Sequence, residues 1–177
     1  MNELPFELFG EISHFLSTTD FLHLTQTCQK CRKLLFEKHV MIKKEFKLIN
    51  DCRNTMESFR KLTWKVYNLD LNENKFMTND DFKLLEGIHT LEMINCCRTR
   101  PCQESITDEA LFHLVGIQKL NISHCWAFTK KSIPFLKTVP FLTADACSDS
   151  LRNALEACGI TSKSLCDKDG CYSCGNY

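Results

Sequence analysis

Cysteines near the C terminus are the residues with the clearest potential for chemistry. Cys166, Cys171 and Cys174 follow the spacing C-x4-C-x2-C, and Cys158 lies upstream of them. Four thiolates can hold zinc in tetrahedral geometry. These spacings fit no standard zinc module, and a plant-type iron–sulfur site needs a further downstream cysteine. We therefore predict no metal and no other cofactor, and interpret residues 161–177 as a flexible Cys-rich tail, with zinc binding as the alternative.

Other residues that could take part in catalysis form no recognisable site. Cys28 and Cys31 have the C-x-x-C spacing of a redox motif, but no strand precedes them as in a thioredoxin-like unit. His113 and His124 could act as bases, yet the cysteines near them lie where a repeat would bury them. The sequence contains no Gly-rich phosphate loop, nucleophile elbow or paired-carboxylate motif. We expect a protein that is not an enzyme.

Composition and charge narrow the class of protein. The 177 residues include 22 basic and 22 acidic ones, which removes the general electrostatic argument for binding nucleic acid or an anionic membrane. No apolar run approaches the roughly 18 residues that span a bilayer, and Glu3 and Glu7 interrupt any signal-peptide pattern. Twelve cysteines without an export signal suit a reducing compartment. We expect a protein of the cytoplasm or nucleus, or of the host cytoplasm if it is viral.

The N-terminal region has the apolar spacing of three short helices. In the first, apolar residues recur every three or four positions and Pro5 suits the first turn. The segment Ser17–Asp20 offers side-chain oxygens that can cap a second helix, and Cys31, Leu34 and Leu35 place a third. The apolar positions of the first two helices are Leu4, Leu8, Ile12, Phe15 and Leu16, then Phe21, Leu24 and Cys28.

This pattern resembles the F-box over about residues 1–45. The residues that match in order and spacing are Leu4, Pro5, Glu7, Leu8, Ile12, Leu16, Asp20, Phe21, Leu24, Cys28, Arg32 and Leu34. The resemblance implies that the apolar helix faces bind the Skp-type adaptor of an SCF ubiquitin ligase, and through it a cullin. The residues implied in this contact are Leu4, Pro5, Leu8, Ile12, Leu16, Phe21, Leu24 and Cys28. The alternative is that these helices only cap the rest of the chain.

Internal repeats organise the following region. Leu69, Leu91, Leu120 and Leu142 each begin an apolar-x-apolar pattern, at offsets of 22, 29 and 22 residues. Three residues after the second apolar position come Asn74, Cys96, Cys125 and Cys147, whose side chains we expect to satisfy backbone groups at the bend after each strand. Thr78, Thr107 and Thr129 each stand thirteen residues before the next leucine and can cap a returning helix. Each repeat is therefore predicted as one strand plus one helix.

This stretch resembles the cysteine-containing leucine-rich repeats that accompany F-boxes. The resemblance implies an α/β fold, in which a three-helix F-box precedes a short right-handed solenoid of three to four repeats. We predict an F-box over residues 1–45, a helical joint over 46–65 and repeats with a C-terminal cap over 66–160. The cap is a helix through Leu151 and Leu155 that Gly159 closes.

A target protein would meet the concave face of the repeats or a loop that projects from them. Side chains between the apolar positions of each strand point to that face. Seven extra residues, 97–103, explain the 29-residue offset and predict a loop. The candidate target-binding residues are Asp70, Asn72, Glu92, Ile94, Asn121 and Ser123 on the face, and Arg98 and Arg100 in the loop. The sequence thus predicts a substrate-recognition adaptor of an SCF-type ligase, the alternatives being a competitor for the adaptor that delivers no substrate and a plain repeat scaffold.

Overall fold

In the part of the chain that the structure describes, five parallel strands form one sheet, and a helical segment lies between each strand and the next. The computed structural model describes residues 15–29, 42–48, 53–61, 66–96 and 106–160. The first and third predicted helices and the C-terminal tail lie outside these ranges. The strands are β1 Ile42–Lys47, β2 Val66–Asp70, β3 Thr90–Glu92, β4 Lys119–Asn121 and β5 Phe141–Thr143. The α-helices are α1 Thr18–Thr27, α2 Arg53–Arg60, α3 Asn79–Phe82, α4 Ile133–Leu136 and α5 Asp149–Ala157.

The order of the strands in the sheet is their order in the chain. Leu69 pairs with Leu91, Leu91 with Leu120 and Leu120 with Leu142, so the four leucines of the sequence pattern lie side by side. Because neighbouring parallel strands need a connection that returns to the same end of the sheet, each link carries a helical segment. The result is a mixed α/β fold.

The first strand, β1, was not predicted. The sequence indicated a helical joint over 46–65, and the structure has a strand ending at Lys47 followed by the helix Arg53–Arg60. Phe46 pairs with Leu69, and the Leu48 N–H donates to the carbonyl of Asp70 at 2.8 Å. Phe46 and Leu48 therefore repeat the apolar-x-apolar pattern one unit upstream, 23 residues before Leu69.

The returning segments are mostly 3₁₀ helix where α-helix was expected. They are Lys83–Leu85, Asp108–Leu114 and Lys130–Ser132. The apolar residues of the second segment and its exit, Leu111, Leu114 and Ile117, recur every three residues, which is the period of a 3₁₀ helix. All three are buried, with exposed fractions of 0 to 2%. The three-residue spacing places these side chains in one line against the leucines of the sheet.

A bend with the same backbone conformation ends each of the strands β2 to β5. Glu73, Asn95, His124 and Ala146 all have positive φ angles, between 48° and 60°. The residue that follows each of them is Asn74, Cys96, Cys125 or Cys147. The left-handed residue ends the extended conformation, and the side chain of the residue after it is buried.

The side chains after these bends form a hydrogen-bond ladder. Asn74 donates to the carbonyl of Leu48 at 2.7 Å and accepts from the N–H groups of Phe76 and Met77. The thiols of Cys96, Cys125 and Cys147 donate to the carbonyls of Leu71, Met93 and Ile122 at 2.7, 2.6 and 3.2 Å. In each case the acceptor lies at the end of the preceding strand. The prediction that these residues satisfy backbone groups is confirmed.

Polar side chains also link adjacent returning segments. Asn79 and Thr107 bond reciprocally, because the amide of Asn79 donates to Thr107 Oγ1 at 2.8 Å and accepts from the Thr107 N–H at 2.9 Å. One unit later, the carboxylate of Asp108 accepts from the Thr129 N–H and hydroxyl at 2.8 and 2.7 Å, and from the Ser132 hydroxyl. Asn79 and Asp108, which follow Thr78 and Thr107, therefore each bind the threonine of the next unit.

Candidate interaction surfaces

One face of the sheet carries the side chains that alternate with the buried leucines. We call it the open face and define it by the following residues of β2 to β5: Asn68, Asp70, Thr90, Glu92, Lys119, Asn121, Phe141 and Thr143. Strand pairing arranges them in two lateral rows. Asp70, Glu92, Asn121 and Thr143 form one row, and Asn68, Thr90, Lys119 and Phe141 form the other. Four strands thus contribute to a single surface.

Several predicted target-binding residues in the first row and just beyond it serve the sheet itself. Asp70, Asn121 and Ser123 are only 5 to 8% exposed. Asp70 Oδ1 accepts from the Asn72 N–H at 2.9 Å, and Asn121 Oδ1 accepts from the Ser123 N–H at 3.0 Å. Asn72 Oδ1 reaches the Ile94 N–H at 2.7 Å on the next strand. These polar atoms hold the strand ends together, which leaves them little surface for another protein.

Three of the predicted target-binding residues remain partly accessible. Asn72, Glu92 and Ile94 are half-buried. The Glu92 carboxylate pairs with Lys119 Nζ at 3.0 Å across neighbouring strands. Strand pairing also places Glu92 beside Asp70, so two carboxylates are lateral neighbours and Lys119 offsets part of their repulsion. Arg98 and Arg100 lie outside the described residues, and the target-binding role of all eight residues stays a prediction.

The most exposed side chain of the open face was missed by the sequence analysis. Phe141 is 70% exposed and pairs laterally with Lys119. At the same end of the strands, the rings of Tyr67 and His89 stack with centroids 4.5 Å apart. The sequence signal was present, because Phe141 stands one residue before Leu142, where strand alternation already points a side chain to this face.

A partly buried ion pair fixes the helical segment that leads into the repeated units. Arg60 Nε and Nη2 donate to the two carboxylate oxygens of Asp81 at 2.7 and 2.8 Å, and Nη2 also reaches the carbonyl of Phe76. Burial raises the pKa of Asp81, but the hydrogen bonds from Arg60 and Thr78 outweigh it and leave that pKa lowered. The hydrogen bond to Asp81 in turn raises the pKa of Arg60. This pair clamps α2 onto α3.

The N-terminal helix α1 covers the outer edge of β1. Ser17 caps the helix, since its hydroxyl oxygen accepts from the Asp20 N–H at 3.1 Å, as predicted. Phe21 is fully buried, and its ring meets Phe46 edge to face with centroids 5.4 Å apart. Thr18 Oγ1 accepts from the N–H of Lys47 at 2.9 Å. The helix therefore fills the edge of the sheet with both apolar and polar contacts.

The predicted adaptor-binding residues differ in their accessibility. Phe21 lies in the chain's own core, whereas Leu16, Leu24 and Cys28 are half-buried. The remaining four, Leu4, Pro5, Leu8 and Ile12, lie outside the described residues. Phe15 precedes α1 and is 87% exposed, the largest exposed fraction among the large apolar side chains that the structure describes.

Residues 1–42 match the model of the F-box domain. The chain therefore carries an F-box at its N terminus, and F-box domains typically bind Skp1-type adaptors. Helix α1 lies wholly within the matched F-box. No curated protein matches this chain.

The F-box shares a hydrophobic core with the sheet. Phe21 and Leu22, on α1 of the F-box, belong to the same buried cluster as Phe46, Met56 and Phe59. Phe15 is 87% exposed, whereas Leu16 and Leu24 pack against this cluster and are half-buried. One part of the F-box helix thus serves the fold, and another part is accessible to a partner.

Neither a metal centre nor a membrane span is found in the described parts of the chain. Across residues 15–29, 42–48, 53–61, 66–96 and 106–160, no three histidine, cysteine, aspartate or glutamate side chains converge as ligands. No helix in those ranges has the length and apolar character needed to cross a bilayer. Cys158 is exposed after α5, and the other three tail cysteines lie outside the described residues.

Proposed function

We propose that this protein is a substrate-recognition adaptor of an SCF-type ubiquitin ligase. The observation that carries the proposal is the F-box match over residues 1–42. In this function the F-box binds a Skp-type adaptor and, through it, a cullin. The protein itself supplies no catalytic residue, and it acts by holding a target near the ubiquitin-transfer machinery, which raises the effective concentration of target lysines.

The repeated units support the second half of this proposal. We interpret β2 to β5 with their returning segments as leucine-rich repeats, because the leucines align and the Asn or Cys after each bend bonds to the preceding strand. Repeats of this kind stack into a rigid scaffold whose strand face and loops bind other proteins. The target would contact Phe141, Lys119 and Glu92 on the open face and the arginines of the insertion at 97–103.

The first experiment purifies the full chain with and without a Skp-type adaptor and measures the affinity of a one-to-one complex. Leu8→Ala combined with Ile12→Ala should weaken that complex by about 1 to 3 kcal/mol for each truncated anchor. Phe15→Ala tests the exposed side of the F-box with little risk to folding, because the ring is 87% exposed. We expect Phe15→Ala to weaken the complex and leave the circular dichroism spectrum unchanged.

A matched control uses exposed apolar residues outside the F-box. Phe112 and Val115 are 52% and 72% exposed on a returning segment. Replacing both with Ala removes as much accessible apolar surface and should leave adaptor binding unchanged. If wild-type protein forms no complex, or if the control weakens binding as strongly as the F-box variants, the adaptor proposal is wrong.

A competitor that occupies the adaptor without delivering a substrate is the second candidate. It is favoured by the small accessible area of the open face, where Asp70 and Asn121 are buried. Reconstituted ubiquitination separates the two functions. The substrate-recognition function predicts that the wild type binds a target protein and that this target is ubiquitinated. The Lys119→Glu, Phe141→Ala double variant should no longer bind that target. Adaptor binding with displacement of other F-box proteins, and with no ubiquitinated target, supports the competitor.

A further inference from the structure

The outer side of the returning segments carries a regular array of exposed side chains. Each segment places exposed residues two, five and eight positions after its threonine, which is Thr78, Thr107 or Thr129. A spacing of three residues keeps such side chains on one side of a 3₁₀ helix. We call this array the outer patch. It consists of Asp80, Lys83 and Glu86 after β2, Glu109, Phe112 and Val115 after β3, and Lys131, Pro134 and Lys137 after β4.

Hydrogen bonds between neighbouring segments align the array. Asn79 bonds to Thr107 in both directions, and Asp108 accepts from the Thr129 hydroxyl. At the other end, the segments lead into strands that pair in register. Equivalent residues of the three segments therefore lie side by side, in three rows. The rows are Asp80, Glu109 and Lys131, then Lys83, Phe112 and Pro134, and then Glu86, Val115 and Lys137.

The centre of the outer patch is apolar. Phe112 and Val115 are 52% and 72% exposed, and Leu84 on the neighbouring segment is 38% exposed. Three of the six exposed large apolar side chains in the described residues thus lie on two adjacent segments. Apolar surface that is grouped in this way and bordered by charged residues is typical of a site that binds another protein.

The two borders of the patch carry opposite charges. Asp80 and Glu86 lie on the side of β2, and Lys131 and Lys137 lie on the side of β4. Lys83 pairs with Asp80 at 2.6 Å and offsets part of the acidic charge. In the described residues, neither Lys131 nor Lys137 forms an ion pair with a carboxylate. The patch therefore changes from acidic through apolar to basic across the three segments.

A surface with this order of charges is complementary to a second copy of itself. Consider two copies placed patch to patch, with a two-fold axis along the segment Asp108–Leu114. Each row then meets the same row of the other copy in the opposite order. Asp80 of one copy lies opposite Lys131 of the other, and Glu86 lies opposite Lys137. The apolar residues at the centre meet their own counterparts, as they do in most symmetric dimers, where both copies use the same surface.

We infer that the outer patch is the interface of a homodimer of this chain. A second copy fits the patch because it supplies a basic border for the acidic one and an acidic border for the basic one. The chain has 22 basic and 22 acidic residues, so no net charge opposes association of two copies. The open face lies on the other side of the sheet and stays accessible. This inference is independent of the proposed function, and its test needs no adaptor.

The first test measures self-association of the full chain. Analytical ultracentrifugation over about 1 to 100 μM covers the range in which a small, partly polar interface dissociates. We expect the wild type to be in monomer–dimer equilibrium. Phe112→Ala should raise the dimer dissociation constant by about tenfold or more, because it removes the ring at the centre of the interface. Phe141→Ala is the matched control, since its ring is 70% exposed on the open face and should leave the dissociation constant unchanged.

A charge exchange between the borders tests the two-fold arrangement. One variant combines Asp80→Lys with Glu86→Lys, so that both of its borders are basic. The other combines Lys131→Glu with Lys137→Glu, so that both of its borders are acidic. Each variant alone should dimerise about tenfold more weakly than the wild type, because like charges then face each other. An equimolar mixture should form a heterodimer of about wild-type affinity, because every facing pair is again of opposite charge.

A second pair of substitutions separates these local contacts from net charge. Glu73→Lys combined with Glu156→Lys changes the net charge as much as the basic-border variant does, but both residues are exposed outside the outer patch. Mixed with the acidic-border variant, this control should not restore the dimer. Glu109 lies at the axis and faces its own copy, so Glu109→Gln should tighten the dimer by about twofold.

Four results would overturn the inference. They are a wild type that stays monomeric up to the highest concentration, equal weakening by Phe112→Ala and Phe141→Ala, a mixture of the two border variants that does not associate, and restoration by the net-charge control. A monomeric wild type would leave the outer patch to a different protein. Circular dichroism spectra identical to that of the wild type verify that each variant is folded, as expected for substitutions of exposed residues.

Discussion

The N-terminal edge of the sheet and the repeated units are stabilised in different ways. At the edge, the contacts occur once: Phe21 on Phe46, Arg60 on Asp81 and Thr18 on Lys47. In the units the contacts recur at the same register. A set of contacts that occurs once can be lost as a whole through one substitution, whereas the repeated contacts distribute the stability over several equivalent positions.

The difference also separates the two interaction surfaces. The F-box is attached through a helix whose buried face belongs to the common core, so binding at the F-box is coupled to folding of the first unit. The open face is formed by strands β2 to β5, which are hydrogen-bonded to one another. Substitutions that destabilise the N-terminal edge should therefore weaken adaptor binding, because they lower the stability of the F-box helix. Substitutions within a single repeated unit should change adaptor binding little.

The largest effect is expected from Phe21→Ala. Removing a fully buried ring that packs on Phe46 should lower the free energy of unfolding by about 3 to 5 kcal/mol. Urea denaturation monitored by circular dichroism measures the change. Phe15→Ala is the control, and its 87% exposed ring should change stability by no more than about 0.5 kcal/mol. Equal costs for the two variants would show that α1 does not belong to the core.

Asn74→Ala tests the junction between the edge and the units. Asn74 bonds to the carbonyl of Leu48 in the edge and to two N–H groups of its own unit, so its loss should cost about 2 to 3 kcal/mol. Cys125→Ala removes the thiol hydrogen bond to the Met93 carbonyl inside the units and should cost about 1 kcal/mol. Urea denaturation of both variants measures the two losses in the free energy of unfolding, which can then be compared. A Cys125→Ala variant that is destabilised as much as Asn74→Ala would contradict the distinction between the two regions.

Asp81→Asn probes the ion pair of the edge. Arg60 is 38% exposed, so solvent screens the pair, and we expect a loss of about 1 to 2 kcal/mol at neutral pH. Asp80→Asn is the control, since Asp80 is 84% exposed and pairs with Lys83, which is itself 61% exposed. It should change stability by less than about 0.5 kcal/mol.

The pKa of Asp81 sets the pH dependence of this effect. Because the folded-state pKa is lowered, the contribution is fully present above the ordinary aspartate value of 3.8 and is lost as the pH falls through the folded-state value. The stability curves of wild type and Asp81→Asn should therefore converge in acid. A difference that stays constant down to pH 2 would argue against an ionised Asp81 as its source.

The smallest effect is a gain in stability. Ala146 adopts a left-handed conformation, with φ 48°, that costs an L residue about 1 kcal/mol relative to glycine. Ala146→Gly should raise the free energy of unfolding by about 0.5 kcal/mol, because the greater freedom of unfolded glycine offsets part of the gain. Asn95→Gly should have an effect near zero, since asparagine tolerates this conformation. Thermal denaturation of both variants distinguishes them.

The parts of the fold that recur could be predicted from the sequence. The leucines align in register, the Asn and Cys side chains satisfy the bend, and Gly159 ends α5, all as expected. Each of these roles demands the same residue type in every unit, so the spacing shows it. A cap within Ser17–Asp20 was also predicted, because a hydroxyl or carboxylate before an amphipathic run is a local signal, and the structure shows Ser17 in that role.

The parts that occur once could not be predicted in the same way. The pairing of Arg60 with Asp81 joins residues 21 apart without any repeating spacing. The strand β1 was missed because Asp51, and not Asn or Cys, occupies the position that marks the bend in the other units. On the open face, Asp70 and Asn121 looked like binding residues by type, but their side chains are consumed by backbone hydrogen bonds that spacing does not reveal.

The strand order has a further consequence for how the chain reaches this state. Each strand after β1 lies beside the strand that precedes it in the sequence, so every pairing in the described sheet joins consecutive units of the chain. The entropy cost of closing such a loop rises only slowly with its length. Assembly can start in any one unit and spread to its neighbours. During synthesis on the ribosome, each strand that emerges would find its partner already in place.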